Sequence, residues 1–191
     1  CEKRSFSLSG NFMIANSGKM ETDKVLPAVR GELSVRSAVE NGVLHLVLEM
    51  PESFMNAPKV LSIHPSMTID NWLKPLSIPQ EFFVFEIRND NQVFAHWVPP
   101  TQADSGSWTP KRNRIDPRIK ATGKTDGKGR YLLALEIPKD SIMPLTLSSG
   151  STFGLNILIG NAGRQLKLAP VEGFRNPGAP GQVRFVLVMI K

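Results

Sequence analysis

Several features that would fix a function directly are scarce or missing in this sequence. A single cysteine, at position 1, excludes an internal disulfide and a cysteine-based metal site. No apolar run approaches the roughly 20 residues a membrane-crossing helix needs. There is no glycine-rich phosphate loop, no Gly-x-Ser-x-Gly elbow and no His-Glu-x-x-His helix, so nucleotide, serine-hydrolase and zinc-peptidase chemistry lack their signatures. The three histidines, His45, His64 and His96, stand far apart, and His45 and His96 fall inside strand-like segments. Glu49, Glu86 and Glu136 also lie on strand-like segments, but nothing singles out the acid pair that glycoside hydrolysis requires. The expectation is a chain that is not an enzyme.

What is present is an ordinary globular composition, 41% hydrophobic and 21% charged, with 15 Pro and 15 Gly to punctuate short elements. The net charge of +6 is concentrated between Lys111 and Arg130. That stretch also holds Pro117, Gly123, Asp126, Gly127 and Gly129, and no nucleic-acid motif accompanies it. It reads as a solvated hairpin, and no nucleic-acid partner is expected.

Apolar/polar alternation with a period of two runs through the chain. Segments 32–36, 43–50, 60–63, 82–87, 92–98, 115–121, 130–137, 153–159, 165–168 and 183–190 read as strands. Asn41-Gly42 between two apolar runs is a hairpin signal, and Arg88–Asn91 is another turn. Phe82–Ile87 is almost continuously apolar, as in a strand covered on both faces. Residues 138–142 read as a helical turn, and a short helical piece is expected around Ile69–Leu73. The expected fold is all-β, a two-sheet antiparallel β-sandwich of about ten strands with little helix. Residues 1–30 read as an N-terminal tether and first strand, and residues 31–191 as one domain.

Trp72 and Trp108 fall in predicted loops, where an indole offers a platform for the apolar face of a sugar ring. Met13, Met20, Met55 and Met67 lie in irregular segments from which a haem ligand could project, although methionine more often fills gaps in a core.

Five segments in order resemble the family-nine carbohydrate-binding modules and their wider relatives, which include haem-binding DOMON-type domains. They are Ser37–Glu49, Glu81–Asp90, Gly129–Pro138 with its Gly-x-Tyr and Ile-Pro, Gly154–Ala162 with its Gly-Leu-Asn, and Phe174–Pro177 leading into 181–187. The resemblance spans residue 31 to the C-terminus. It implies the sandwich fold and a secreted or surface-anchored, non-catalytic module whose partner is a polysaccharide or oligosaccharide. Sugar-binding members hold a terminal sugar between two Trp, helped by Asn, Gln, Glu and Arg. Phe174 matches the second Trp; the first falls near Ile78, with Trp72 six residues earlier. Leu158 stands where members carry Gln, and Asn161 where they carry an Asp often linked to calcium. The ligand-binding candidates are therefore Trp72, Arg88, Trp108, Asn161, Phe174 and Arg175. No cofactor follows from the residues; the family leaves calcium or haem open, and with haem an electron-transfer role. A structural role in a cell-envelope complex is the remaining alternative. Cys1 with the polar Glu2-Lys3-Arg4-Ser5 behind it resembles the start of a processed bacterial lipoprotein. It is the candidate lipid-attachment residue, with any membrane contact through that lipid and an extracytoplasmic location.

Overall fold

The structure, a computed structural model, describes residues 6–7, 12–22, 24–70, 82–98, 114–161, 163–169 and 185–191. The chain is all-β. In order come β1 (Phe6–Ser7), β2 (Phe12–Ser17), β3 (Ala28–Arg30), β4 (Leu33–Glu40), β5 (Val43–Pro51), β6 (Lys59–His64) and β7 (Phe82–Ile87). They are followed by β8 (Val93–Val98), β9 (Arg114–Ile115), β10 (Lys120–Thr125), β11 (Arg130–Pro138), β12 (Thr152–Asn161), β13 (Arg164–Lys167) and β14 (Val186–Ile190). Two single 3-10 turns, Glu52–Phe54 and Lys139–Ser141, interrupt them, the second where a helical turn was expected. Ile69 and Asp70 are also helical, at the edge of the described residues.

The hairpins follow their turn chemistry. Asn41 and Gly42 take positive φ values of 51° and 73°, which lets β4 fold directly onto β5 with Glu40 opposite Val43. The basic hairpin forms between β10 and β11, and Asp126 closes its turn by accepting from the backbone N–H groups of Lys128 and Arg130. Ile115 does not belong to that hairpin: it sits in β9, opposite Phe94 of β8.

One feature corrects the expected architecture. Instead of two separate antiparallel sheets, the strands form one continuous path, β10-β11-β5-β4-β2-β14-β12-β6-β7-β8-β9, in a nearly closed, barrel-like shape. The cause is β2. It pairs in parallel with β14 on one side and with β4 on the other, stitching the two halves along a seam. Backbone hydrogen bonds continue that seam, from Ser17 N–H to Lys191 O (3.0 Å) and from Lys191 N–H to Ala15 O (2.9 Å).

The half around β4, β5, β10 and β11 contributes Leu46, Leu48, Leu133 and Leu135 to the main core. The half around β6, β7, β12 and β14 contributes Leu61, Ile63, Phe85 and Phe153 to the same cluster. A second, smaller cluster of Met67, Phe82, Val84, Phe185 and Leu187 lies on the other side of this second half. Both faces of β7 are thus covered, as its unbroken apolar sequence requires. Among the described residues no helix is long and apolar enough to cross a membrane.

Candidate functional site

Of the predicted ligand-binding residues, Arg88 has a described side chain. It follows β7 and opens the turn to β8. Its N–H donates to Gln92 O (3.0 Å), and its carbonyl accepts from Asn91 N–H (2.9 Å). Asp90 braces the turn by accepting from Gln92 N–H through Oδ1 (3.1 Å). The guanidinium lies over Phe94, with Cζ 3.9 Å from the ring centroid. That contact fixes the group while leaving its N–H edge able to meet a hydroxyl or carboxylate.

Arg88 walls a groove of about 700 Å³, shared with Asn56, Pro58, Lys59, Val60, Glu86 and the turn residues. Lys59 is 2% exposed, and its ammonium donates to Met55 O (2.7 Å) and Ala57 O (2.9 Å) while lying 5.5 Å from the Tyr131 ring centroid. Burial pushes the Lys59 pKa down. Its protons hold the 55–57 loop rather than facing a ligand, so the ligand-capable groups of the groove are Arg88, Glu86, Asn56, Asn89 and Asp90.

Asn161 ends β12 opposite Arg164, near Ile159, which pairs with Lys59; Lys59 in turn pairs with Ile87. The backbone therefore brings Asn161 and Arg88 to the same end of the second half.

Trp72, Trp108, Phe174, Arg175 and Cys1 lie outside the described residues. The start of β7 forms a different end of the second half. Met67, Phe82 and Phe185 share one cluster, the Phe82 and Phe185 ring centroids are 6.0 Å apart, and Val98 is the register partner of Phe82. That end lies about 20 Å from Arg88 at strand spacing.

At that same end the structure exposes an aromatic residue that sequence reasoning passed over. Trp97 is 55% exposed, opposite Phe83, which stacks on Phe85 at 6.3 Å and 14°. Reasoning from loops missed it because Trp97 belongs to a strand. The available signal was its place one residue before the end of β8 and just ahead of Pro99-Pro100, where the core stops covering inward-facing positions.

Between the two ends, the outer face of the second half carries a buried row in register: Asn156, Ser62, Val84 and His96. Asn156 accepts from Ala169 N–H (3.2 Å), which anchors the chain beyond β13 on this face. Burial lowers the His96 pKa, and Glu86, with Oε1 3.8 Å from Nε2, opposes that shift. The strand carboxylates do not meet as a pair: Glu49 faces Arg36 and Arg130, Glu136 faces Lys120, and Glu86 faces His96. Among the described residues, no three His, Cys, Asp or Glu cluster as metal ligands.

No family model and no curated protein matches the chain by sequence. Two solved structures share its fold over nearly their whole length. A protein of Bacteroides uniformis ATCC 8492 assigned to carbohydrate binding aligns with a TM-score of 0.54 at 12% identity, over 98% of this chain and 99% of that one. A family 9 carbohydrate-binding module of Caldicellulosiruptor kristjanssonii, in complex with glucose, aligns with a TM-score of 0.54 at 9% identity, over 98% and 96%. The fold is thus of the family-nine module kind that the five ordered segments implied.

Proposed function

We propose that this chain is a non-catalytic saccharide-binding module that stacks a sugar ring on Trp97 at the end of β8. The observation that carries the reading is the fold match, over nearly the whole chain, to a module in complex with glucose. Two features of this chain's own surface support it. Trp97 presents an exposed indole on a rigid strand, the type of platform that costs little ordering entropy on binding. Its cross-strand partner Phe83 stacks on Phe85 and backs the platform with packed aromatic side chains.

Calorimetric titration with glucose, cello-oligosaccharides, xylan and mannan, read together with tryptophan fluorescence, tests the proposal. A saccharide is expected to bind, and Trp97→Ala is expected to weaken it by about tenfold or more. Arg88→Ala separates this surface from the Arg88 groove. If it abolishes binding while Trp97→Ala does not, the site belongs to the groove. Absence of heat and of fluorescence change with every saccharide overturns the reading.

A further inference from the structure

The outer face of the first half carries a groove unrelated to either end of the second. It is built from two neighbouring rungs of the sheet. One rung runs Arg36, Val47, Ala134, Thr122; the other runs Ser34, Glu49, Leu132, Lys124. With Thr22 at the rim, the residues of these rungs other than Ser34 enclose about 330 Å³, at the small end of the range for small-molecule sites.

Its charge is unbalanced. Arg36 is 5% exposed, and its hydrogen-bond partner among the described residues is Glu49, from Nη1 to Oε2 at 3.4 Å. The Arg36 Nε is buried and makes no hydrogen bond. Glu49 is shared, since its Oε1 also accepts from Arg130 Nε at 3.3 Å. Lys124 lines the groove, and its ammonium has no carboxylate partner among the described residues. Two guanidinium groups thus share one carboxylate through long contacts, and a third cation, Lys124, stands beside them without one among the described residues. A buried guanidinium served this thinly favours a second anion, because burying charge without compensation is costly. The floor is different in kind: Val47, Leu132 and Ala134 form an apolar tile, with the Thr122 hydroxyl at its edge.

We propose that this groove is a second binding site that takes a carboxylate-bearing saccharide of the uronic-acid class. The carboxylate meets the Arg36 and Lys124 side, the C–H face of the ring lies on Val47 and Ala134, and a ring hydroxyl meets Thr122. The saccharide part rests on the function proposed above; the anion part rests on the groove alone.

Titrating the whole chain by calorimetry with glucuronate, glucose and acetate separates these parts. Glucuronate is expected to bind more tightly than acetate and to weaken as salt rises. Lys124→Gln, at an exposed strand position, is expected to weaken glucuronate about tenfold, the usual scale for a lost charged hydrogen bond. Ala134→Trp, which fills the groove from an exposed position, is expected to abolish glucuronate binding and leave any glucose binding unchanged. Glucuronate affinity unaltered by both substitutions overturns the proposal. Acetate binding as tightly as glucuronate overturns its saccharide part. Glucuronate binding that is lost in Ala134→Trp, in a chain that binds no neutral sugar, supports this site while overturning the Trp97 reading.

Discussion

The two halves of this barrel-like sheet treat their outer faces differently. On the first half, the outward positions of β10 and β11 (Lys120, Thr122, Lys124, Ala134, Glu136) are exposed, and the strands alternate in the ordinary way. On the second half, the outward positions hold a second apolar cluster and a buried polar row. Over β10 and β11 the sheet is a surface, and over the second half it is a second interior. A chemically defined groove can therefore be read directly on the first half. On the second half, binding surfaces are confined to the ends of the strands.

That contrast predicts an order of sensitivities. The largest loss is expected from Phe185→Ala, in the outer cluster against His64 and Phe82: about 3–5 kcal/mol in urea unfolding, as for a primary core aromatic. A loss near zero would mean that the outer cluster is no second core. Next comes Gly154→Ala. A Cβ there would lie 2.8 Å from Met67 Sδ and 3.0 Å from the Cβ atoms of His64 and Phe185, so about 1–3 kcal/mol is expected, measured by thermal unfolding.

The third effect is a pH dependence. The His96 pKa is lowered from 6.5 chiefly by burial, so the unfolded chain takes up this proton before the folded one does. Its contribution is fully present above pH 6.5 and is lost as pH falls from there through the folded pKa. Urea midpoints across that window should fall for the parent chain and fall less for His96→Leu; identical slopes would remove His96 as the cause. Asp116 gives the opposite end of the scale. Its side chain accepts hydrogen bonds from Arg118, which hold its pKa below 3.8, so its contribution disappears only in stronger acid. The smallest effect is expected on the open face. Lys120→Ala removes an exposed pair with Glu136 at 3.6 Å and should change stability by less than about 0.5 kcal/mol.

The parts of this fold that were legible in the sequence are those whose cause is local. The β4–β5 hairpin was written in Asn41-Gly42, and the double covering of β7 in its unbroken run of apolar side chains. The position of β2 was not legible, because a parallel pairing between residues 12–15 and 187–190 leaves no turn and no spacing to detect. Ser34 and Arg36 alternate with Leu33 and Val35 as solvent-facing residues should, yet both are buried. What covers them is set by tertiary structure, and so the charge imbalance at Arg36 was invisible. Arg88 entered as a candidate through the family resemblance, whereas the exposed Trp97 was passed over because aromatic candidates were sought in loops.

The seam at β2 also dictates an order of assembly. Its β14 partners, Leu187 to Ile190, leave the ribosome about 175 positions after it. The β4–β5 and β10–β11 hairpins can zip locally while synthesis is under way. The strand that joins the halves must wait, with Met13 and Ala15 unburied, until the final strand is out. Closure of this fold thus waits on β14, and until then the nascent chain carries an apolar strand without its partner.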